Sequence, residues 1–199
     1  NVDDLLKGSS SGAVSTIRCD VSCSIELALS DSVDHERSHL GHVFHMAGVL
    51  HDATTYNQTM RSTQEVLSAK LKLFENVNVF TTCSRSILAF SSITTLVGSI
   101  GQVNYSAANN GMCEYMKMRK LSGNVGSCVQ WGLWDDIGMS RGEIRRDTTY
   151  RANNAGFGAL SLRQGLLALY FICHSTFYSL LLRLNFKIWT NKGKVARLR

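Results

Sequence analysis

The chain has 199 residues, 44% apolar and 18% charged, with 16 glycines and no proline; a chain of this size can bury about 70% of its unfolded surface, so one soluble domain needs no disulfide or metal to hold it together. Of its 21 basic residues, Arg183, Lys187, Lys192, Lys194, Arg197 and Arg199 fall in 183–199 with no acid among them, which leaves 1–182 balanced at 15 basic (21 − 6) against 15 acidic. That distribution argues against a nucleic-acid-binding body, in which Lys and Arg spread along a face with aromatics between them.

Residues 1–13 form a leading connection that includes Gly8-Ser9-Ser10-Ser11-Gly12. A phosphate-binding glycine loop must follow a buried strand and open a helix, so that backbone N–H groups and the helix dipole meet the phosphates. Here a strand follows the glycines, and the segment reads as solvated chain. The predicted elements then alternate: strand 14–20, helix 26–40, strand 42–48, helix 63–77, strand 86–92, helix 103–121 closed by Gly123, strand 125–131 and strand 177–184. Between the last two strands, 138–158 is rich in Arg, Asn, Thr and Gly and reads as a mobile loop or lid. The stretch 164–182 has no formal charge, but Gln164, His174, Ser175, Thr176 and Ser179 favour a buried helix running into a strand over a membrane span. Residues 185–199 are a basic tail or linker.

Short β-branched runs alternating with longer helical patterns predict an α/β fold, a doubly wound parallel sheet with flanking helices, over 14–184. Ligands in such sheets sit beyond the carboxyl ends of the strands, here 20–23, 47–52, 91–95 and 131–135. Cysteines at 19, 23, 83, 113, 128 and 173 make no CxxC pair and no signal peptide opens the chain, as expected of reduced thiols in the cytoplasm.

Two constellations carry candidate chemistry. His35-Glu36-Arg37-Ser38-His39 is an HExxH, with His45 where a third ligand of a zinc hydrolase would stand. Position 42 is His42, however, where the longer motif needs Gly to reverse the chain, and 42–48 is a strand; a polar helix end leading into a buried strand explains the same residues, and no metal is expected. The second is Ser91-Ser92 at a strand end, followed by Tyr105 and Asn109, whose i, i+4 spacing puts them on one helix face. Ala107, Ala108 and Gly111 are expected to keep that helix narrow and bring Tyr105 toward Ser92. Lys70 could supply an ammonium that lowers the phenol from its ordinary pKa of about 10. A buried Tyr with a structural hydrogen bond accounts for these residues equally well on spacing alone.

The order of His45-Met46-Ala47-Gly48-Val49-Leu50, Ser68-Ala69-Lys70, Phe90-Ser91-Ser92, Gly98-Ser99-Ile100-Gly101-Gln102-Val103-Asn104-Tyr105-Ser106-Ala107-Ala108-Asn109 and Trp131-Gly132-Leu133-Trp134 resembles the ketoreductase domain of type I polyketide synthases and multifunctional fatty acid synthases. These belong to the short-chain dehydrogenase/reductases, with a Rossmann-like fold. The resemblance implies NADPH-dependent reduction of a 3-ketoacyl thioester carried on the phosphopantetheine of an acyl carrier protein, within a synthase of neighbouring domains. It assigns Tyr105 as proton donor to the ketone oxygen, Ser92 as its hydrogen-bond partner, Lys70 as the group that tunes Tyr105 and holds the nicotinamide ribose, and Asn109 as support for the proton relay.

The same resemblance places Asp20 and Val21 at the adenine, Ala47, Gly48 and Ser91 along the cofactor groove, and Trp131 and Gly132 at the nicotinamide end. Leu50, Asp52, Leu133 and Met139 fall on the substrate side. Leu50-His51-Asp52 keeps two residues of the Leu-Asp-Asp triplet, and Val97 replaces the Trp of the opposite stereochemical class, so a D-3-hydroxy product is implied. Arg141, Arg145, Arg146 and Arg151 in the lid segment are candidates to meet an acidic carrier protein. The family's first strand, glycine-rich loop and 2′-phosphate-selecting residues would all precede the point where this sequence begins, so an N-terminally truncated domain is expected, inactive and weak for NADPH as an isolated chain. A structural ketoreductase-like module is the alternative; such modules generally lose the Ser and Tyr that this chain keeps.

Overall fold

Alternation along one central strand sets the architecture. The computed structural model describes residues 42–72, 74, 76, 86–134 and 158–174. Within them β1 (His42–His45), β2 (Ser86–Ser92) and β3 (Gly126–Trp131) pair in the order β1-β2-β3, both ladders parallel, with His45 opposite Ala89 and Ser92 opposite Trp131. Ile87 and Ala89 of β2 face one side and pack with Phe74, Met112 and Met116. Leu88 faces the other and joins Val129 and Trp131. A strand buried on both faces needs a helix layer on each, as in α/β sheets.

Helical segments pack on the first face. α1 (Met60–Leu67) begins at Thr59, whose Oγ1 accepts from the Ser62 amide at 3.0 Å while the Thr59 amide donates to Ser62 Oγ at 3.1 Å, a reciprocal capping box. It runs directly into a π-helical turn, Ser68–Lys72. α2 is a single turn, Thr94–Val97, and α3 spans Val103–Leu121. Gly123 ends α3 at φ +79°; its amide donates to the Lys120 carbonyl at 2.9 Å and the Asn124 amide to the Arg119 carbonyl at 3.0 Å, the paired bonds of a Schellman cap that a left-handed glycine allows. The opposite face is covered by α4 (Leu162–His174), through Ala168, Leu169 and Ile172.

The predicted parallel sheet with helices on its faces is what is observed. Strand 86–92 and helix 103–121 coincide with their predicted limits. Strand 42–48 is shorter, because from Met46 onward the chain leaves the sheet and Met46 and Val49 are exposed. Helix 63–77 starts earlier, at the Thr59 cap, and changes pitch at Ser68. The narrow face of α3 also works differently from expectation: Ala107 is exposed, and a Cβ on Gly111 would sit 3.0 Å from Leu71 Cδ2, so Gly111 admits the π turn and not the sheet. Among the described residues no helix is long and apolar enough to cross a membrane. Strands 14–20 and 177–184, helix 26–40 and all of the 138–158 segment but its last residue lie outside the described residues.

Candidate active site

At the carboxyl end of β2, Lys70, Ser91, Ser92, Tyr105 and Asn109 come together, every one of them buried. The π turn carries Lys70 inward until it is only 2% exposed, and single π turns recur where a side chain must be re-aimed at a functional site. Its Nζ donates to the Phe90 carbonyl at 2.9 Å and lies 5.9 Å from the Tyr105 ring centre. Gly48 makes room for it: a Cβ there would stand 2.9 Å from Lys70 Cε and 3.4 Å from Nζ. From behind, His45 Nε2–H donates to the Lys70 carbonyl at 2.9 Å. His45 therefore positions the lysine backbone, while its Nδ1 has no protein partner among the described residues; His35 and His39 lie outside the described residues.

Tyr105 packs with Val66 and Ala108, and Leu50 closes the cluster. Asn109, fully buried, donates from Nδ2 to the Tyr105 carbonyl at 2.9 Å, and its Oδ1 has no protein partner among the described residues. Ser91 Oγ donates to the Asn109 carbonyl at 3.2 Å, while Ser92 Oγ accepts from the Thr94 amide at 3.2 Å.

Burial raises the Tyr105 phenol above its ordinary 10.0; hydrogen bonds with the Asn109 and Ser92 side chains pull it down, and the Asp52 charge pushes it up. The lowering expected from a Lys70 ammonium is not what governs it in this state. Desolvation brings Lys70 itself from 10.5 to about 8, and its head group is engaged by Phe90, so the cation that was to act on Tyr105 is partly neutralised at neutral to mildly alkaline pH.

A further set of contacts surrounds the start of α3. Gln102 Nε2 donates to Asp52 Oδ2 at 3.0 Å, Asn104 Nδ2 donates to the His51 carbonyl at 2.9 Å, and the Ala53 amide donates to the carbonyl of Gly101, a glycine at φ +79°. Together they hold 51–53 against the turn before Tyr105. Asn104 Oδ1 also accepts from the Tyr105 amide at 2.7 Å, satisfying a free donor of the first helical turn. Gln102 and Asn104 were part of the sequence run without a role; only the fold brings them to 51–53.

Trp131 and its neighbours are placed differently from the rest. The Trp131 backbone lies beside Ser92 in the ladder and its carbonyl accepts from the Ile93 amide at 2.9 Å, but its indole turns into the opposite-face cluster, 5.4 Å from Phe90 and 5.0 Å from Trp134 between ring centres. Leu133 accepts from the Leu160 amide at 2.7 Å, and Gly132 lies under the Leu160 side chain. Ala47 is exposed at the end of β1. Asp20, Val21 and Met139 lie outside the described residues.

The residues present fit the nicotinamide end of a dinucleotide: a buried nitrogen donor at Lys70, for which Gly48 leaves room, and an unpartnered buried acceptor at Asn109 Oδ1. A buried phenol near a serine hydroxyl is suited to giving a proton to a carbonyl oxygen.

Residues 4–136 match the model of the KR domain. The chain is 34% identical over 127 residues to the phenolphthiocerol synthesis polyketide synthase type I Pks15/1 of Mycobacterium marinum, covering 62% of this chain and 6% of that protein. It is 32% identical over 170 residues to chalcone synthase cfoA of Aspergillus candidus, covering 83% and 6%. The chain thus spans a small part of the length of these relatives. Among solved structures, A-type ketoreductases from a modular polyketide synthase superpose with a TM-score of 0.69 at 27% identity, covering 78% of this chain and 33% of that one. The ketoreductase from the first phoslactomycin module of Streptomyces sp. HK803 shares the fold, with a TM-score of 0.73 at 23% identity, covering 81% and 37%.

Proposed function

This chain belongs to the ketoreductase (KR) domain family, and from that premise we propose that it reduces a carrier-bound 3-ketoacyl thioester to the 3-hydroxyacyl thioester inside a cytoplasmic polyketide synthase. The observation that carries the proposal is the grouping of Lys70, Ser92, Tyr105 and Asn109 in one buried site at the end of β2. A bound nicotinamide cofactor, NADPH in this proposal, supplies the hydride.

The chain's own residues do the rest. Ser92 holds the ketone oxygen, and Tyr105 gives it the proton as negative charge develops there. A phenol kept protonated by burial is in the correct form for that donation across the neutral range. Lys70 would hold the ribose hydroxyls, its ammonium exchanging the Phe90 carbonyl for them. Asn109 Oδ1 accepts from a solvent chain that returns the proton to Tyr105. Ala47 and Gly48 line the groove, with Trp131 and Gly132 at the nicotinamide end and Asp20 and Val21 at the adenine.

On the substrate side Leu50 packs beside Tyr105 and Gln102 orients Asp52. Leu133 and Met139 complete the acyl pocket. With Leu50, Asp52 and Val97 in place, we assign the D-3-hydroxy product. The partners follow from the substrate: an acyl carrier protein bearing phosphopantetheine, and the neighbouring synthase domains.

The test is NADPH oxidation by the intact protein with a 3-ketoacyl thioester, with the product resolved on a chiral column. Tyr105→Phe should lower kcat by about 100-fold or more with little change in Tm. Full activity in that variant would remove the assignment, and mainly L-hydroxy product would remove the stereochemical one.

A further inference from the structure

Behind β2, between α3 and β3, lies a cluster that carbonyl reduction does not use. Cys113 on α3 and Cys128 on β3 are both free thiols and half-buried, and their Sγ atoms stand 2.7 Å apart. Cys113 Sγ–H donates to Ser91 Oγ at 3.3 Å, the same hydroxyl that donates to the Asn109 carbonyl. A covalent S–S bond is ~2.05 Å, so bonding the two requires a displacement of about 0.7 Å from 2.7 Å.

We propose that Cys113 and Cys128 form a reversible dithiol–disulfide site that reacts with low-molecular-weight disulfides. In the first step the Cys113 thiolate attacks one sulfur of RS–SR; the Cys113–SR bond forms, the RS–SR bond breaks, and RS⁻ leaves and takes a proton from solvent. Cys128 then loses its proton to solvent and attacks Cys113 Sγ; the Cys113–Cys128 bond forms and the second RS⁻ leaves and is protonated. Two protein thiols are oxidised by two electrons, and one small disulfide is reduced to two thiols.

The order of attack follows from the surroundings. The Cys128 S–H bond holds the Cys113 thiol at about 7 against burial, with help from Ser91, whereas the Cys113 contact and burial both push Cys128 upward. The more acidic thiol is the attacking one. The crosslink would tie α3 to β3 one helical turn beyond Asn109 and withdraw the S–H that Ser91 now receives. The dithiol site does not rest on the proposed reductase activity, although Ser91 borders both sites.

The experiment equilibrates the intact protein, under native conditions, in graded mixtures of oxidised and reduced glutathione, followed by acid quench, alkylation and peptide mapping. The expected result is a crosslink between the Cys113 and Cys128 peptides, two hydrogens lighter than the dithiol and fully reversed by excess reduced glutathione. In Cys128→Ser, and in Cys128→Ala if the first variant fails to fold, glutathione should remain on Cys113 as a stable mixed disulfide. The proposal fails if both cysteines are recovered alkylated at every ratio, if the wild-type protein stops at a glutathione adduct, or if either cysteine pairs instead with Cys19, Cys23, Cys83 or Cys173.

Discussion

Replacing Lys70 by Met should make the protein more stable at neutral pH while removing its activity. Lys70 is 2% exposed and its ammonium is brought from 10.5 to about 8 chiefly by desolvation. A difference of 2.5 units (10.5 − 8) at ~1.36 kcal/mol each means that holding the charged form in the fold costs about 3 kcal/mol at pH 7. Met fills a similar volume without that cost. It also strips the Phe90 carbonyl of its donor, which costs about 1–2 kcal/mol. The net gain is about 1–2 kcal/mol, or roughly 3–6 °C in Tm for a domain of this size. The pH dependence is the sharper readout. Between the folded value near 8 and the unfolded 10.5 the unfolded wild-type chain binds more protons, so wild-type stability rises with pH across that window. The advantage of the Met variant should therefore be largest below pH 8 and shrink toward pH 10. Urea unfolding of both proteins from pH 7 to 10 measures it. A Met variant less stable than wild type at pH 7, or a difference that does not change with pH, would refute the reasoning.

Gly48→Ala should spare stability and damage activity: its Cβ meets the flexible end of Lys70 at 2.9 Å, so the lysine moves and the fold does not, and kcat/KM should fall at least 10-fold with Tm shifted by less than about 3 °C. Gly165→Ala should act in the opposite way. Alanine is the better helix former by about 1 kcal/mol, but a Cβ at Gly165 falls 2.2 Å from Trp134 Cη2, and displacing a packed indole should destabilise by about 1–3 kcal/mol in urea unfolding. His45, whose imidazole is held below 6.5 mainly by burial, binds its proton more readily in the unfolded chain. Stability should be flat in this group above pH 6.5 and fall as pH drops through its folded value; His45→Gln, which keeps a donor for the Lys70 carbonyl, should flatten the slope between pH 7 and 5.

What the sequence showed of this fold depended on whether the signal was local. Helix 103–121 was legible because it closes on Gly123, whose left-handed conformation the cap requires. Strand 86–92 was legible because its β-branched and apolar residues are buried on both faces. The run 42–48 misled in its second half, since Met46 and Val49 are apolar residues that the structure leaves exposed as the chain turns toward the site. The start of α1 was hidden because its capping box uses Ser62 in place of the usual Glu or Gln, and a period of 3.6 residues cannot announce a π turn. Of the site, Tyr105 and Asn109 declared themselves by i, i+4 spacing and Ser92 by its strand end. The bond from Lys70 to Phe90, the hold of His45 on the lysine backbone and the Gln102–Asp52 contact are tertiary, and no spacing rule encodes them. The expectation for the Tyr105 phenol missed for the same reason: how deeply Tyr105 and Lys70 are buried is a property of the packed core, and burial outweighs the charge that the sequence displayed.

The paired serines of β2 assign different duties to neighbouring positions. Ser91 belongs to the thiol side, joined to Cys113 and the Asn109 carbonyl, and Ser92 belongs to the Tyr105 side. Successive strand residues point to opposite faces, and a slip of one residue exchanges them. Inserting or deleting a single residue ahead of Ser91 in β2 would therefore leave a serine at the strand end and the composition almost intact, yet exchange the faces its hydroxyls serve. Strand length, more than serine identity, is what separates the redox chemistry of this domain from its acid–base chemistry.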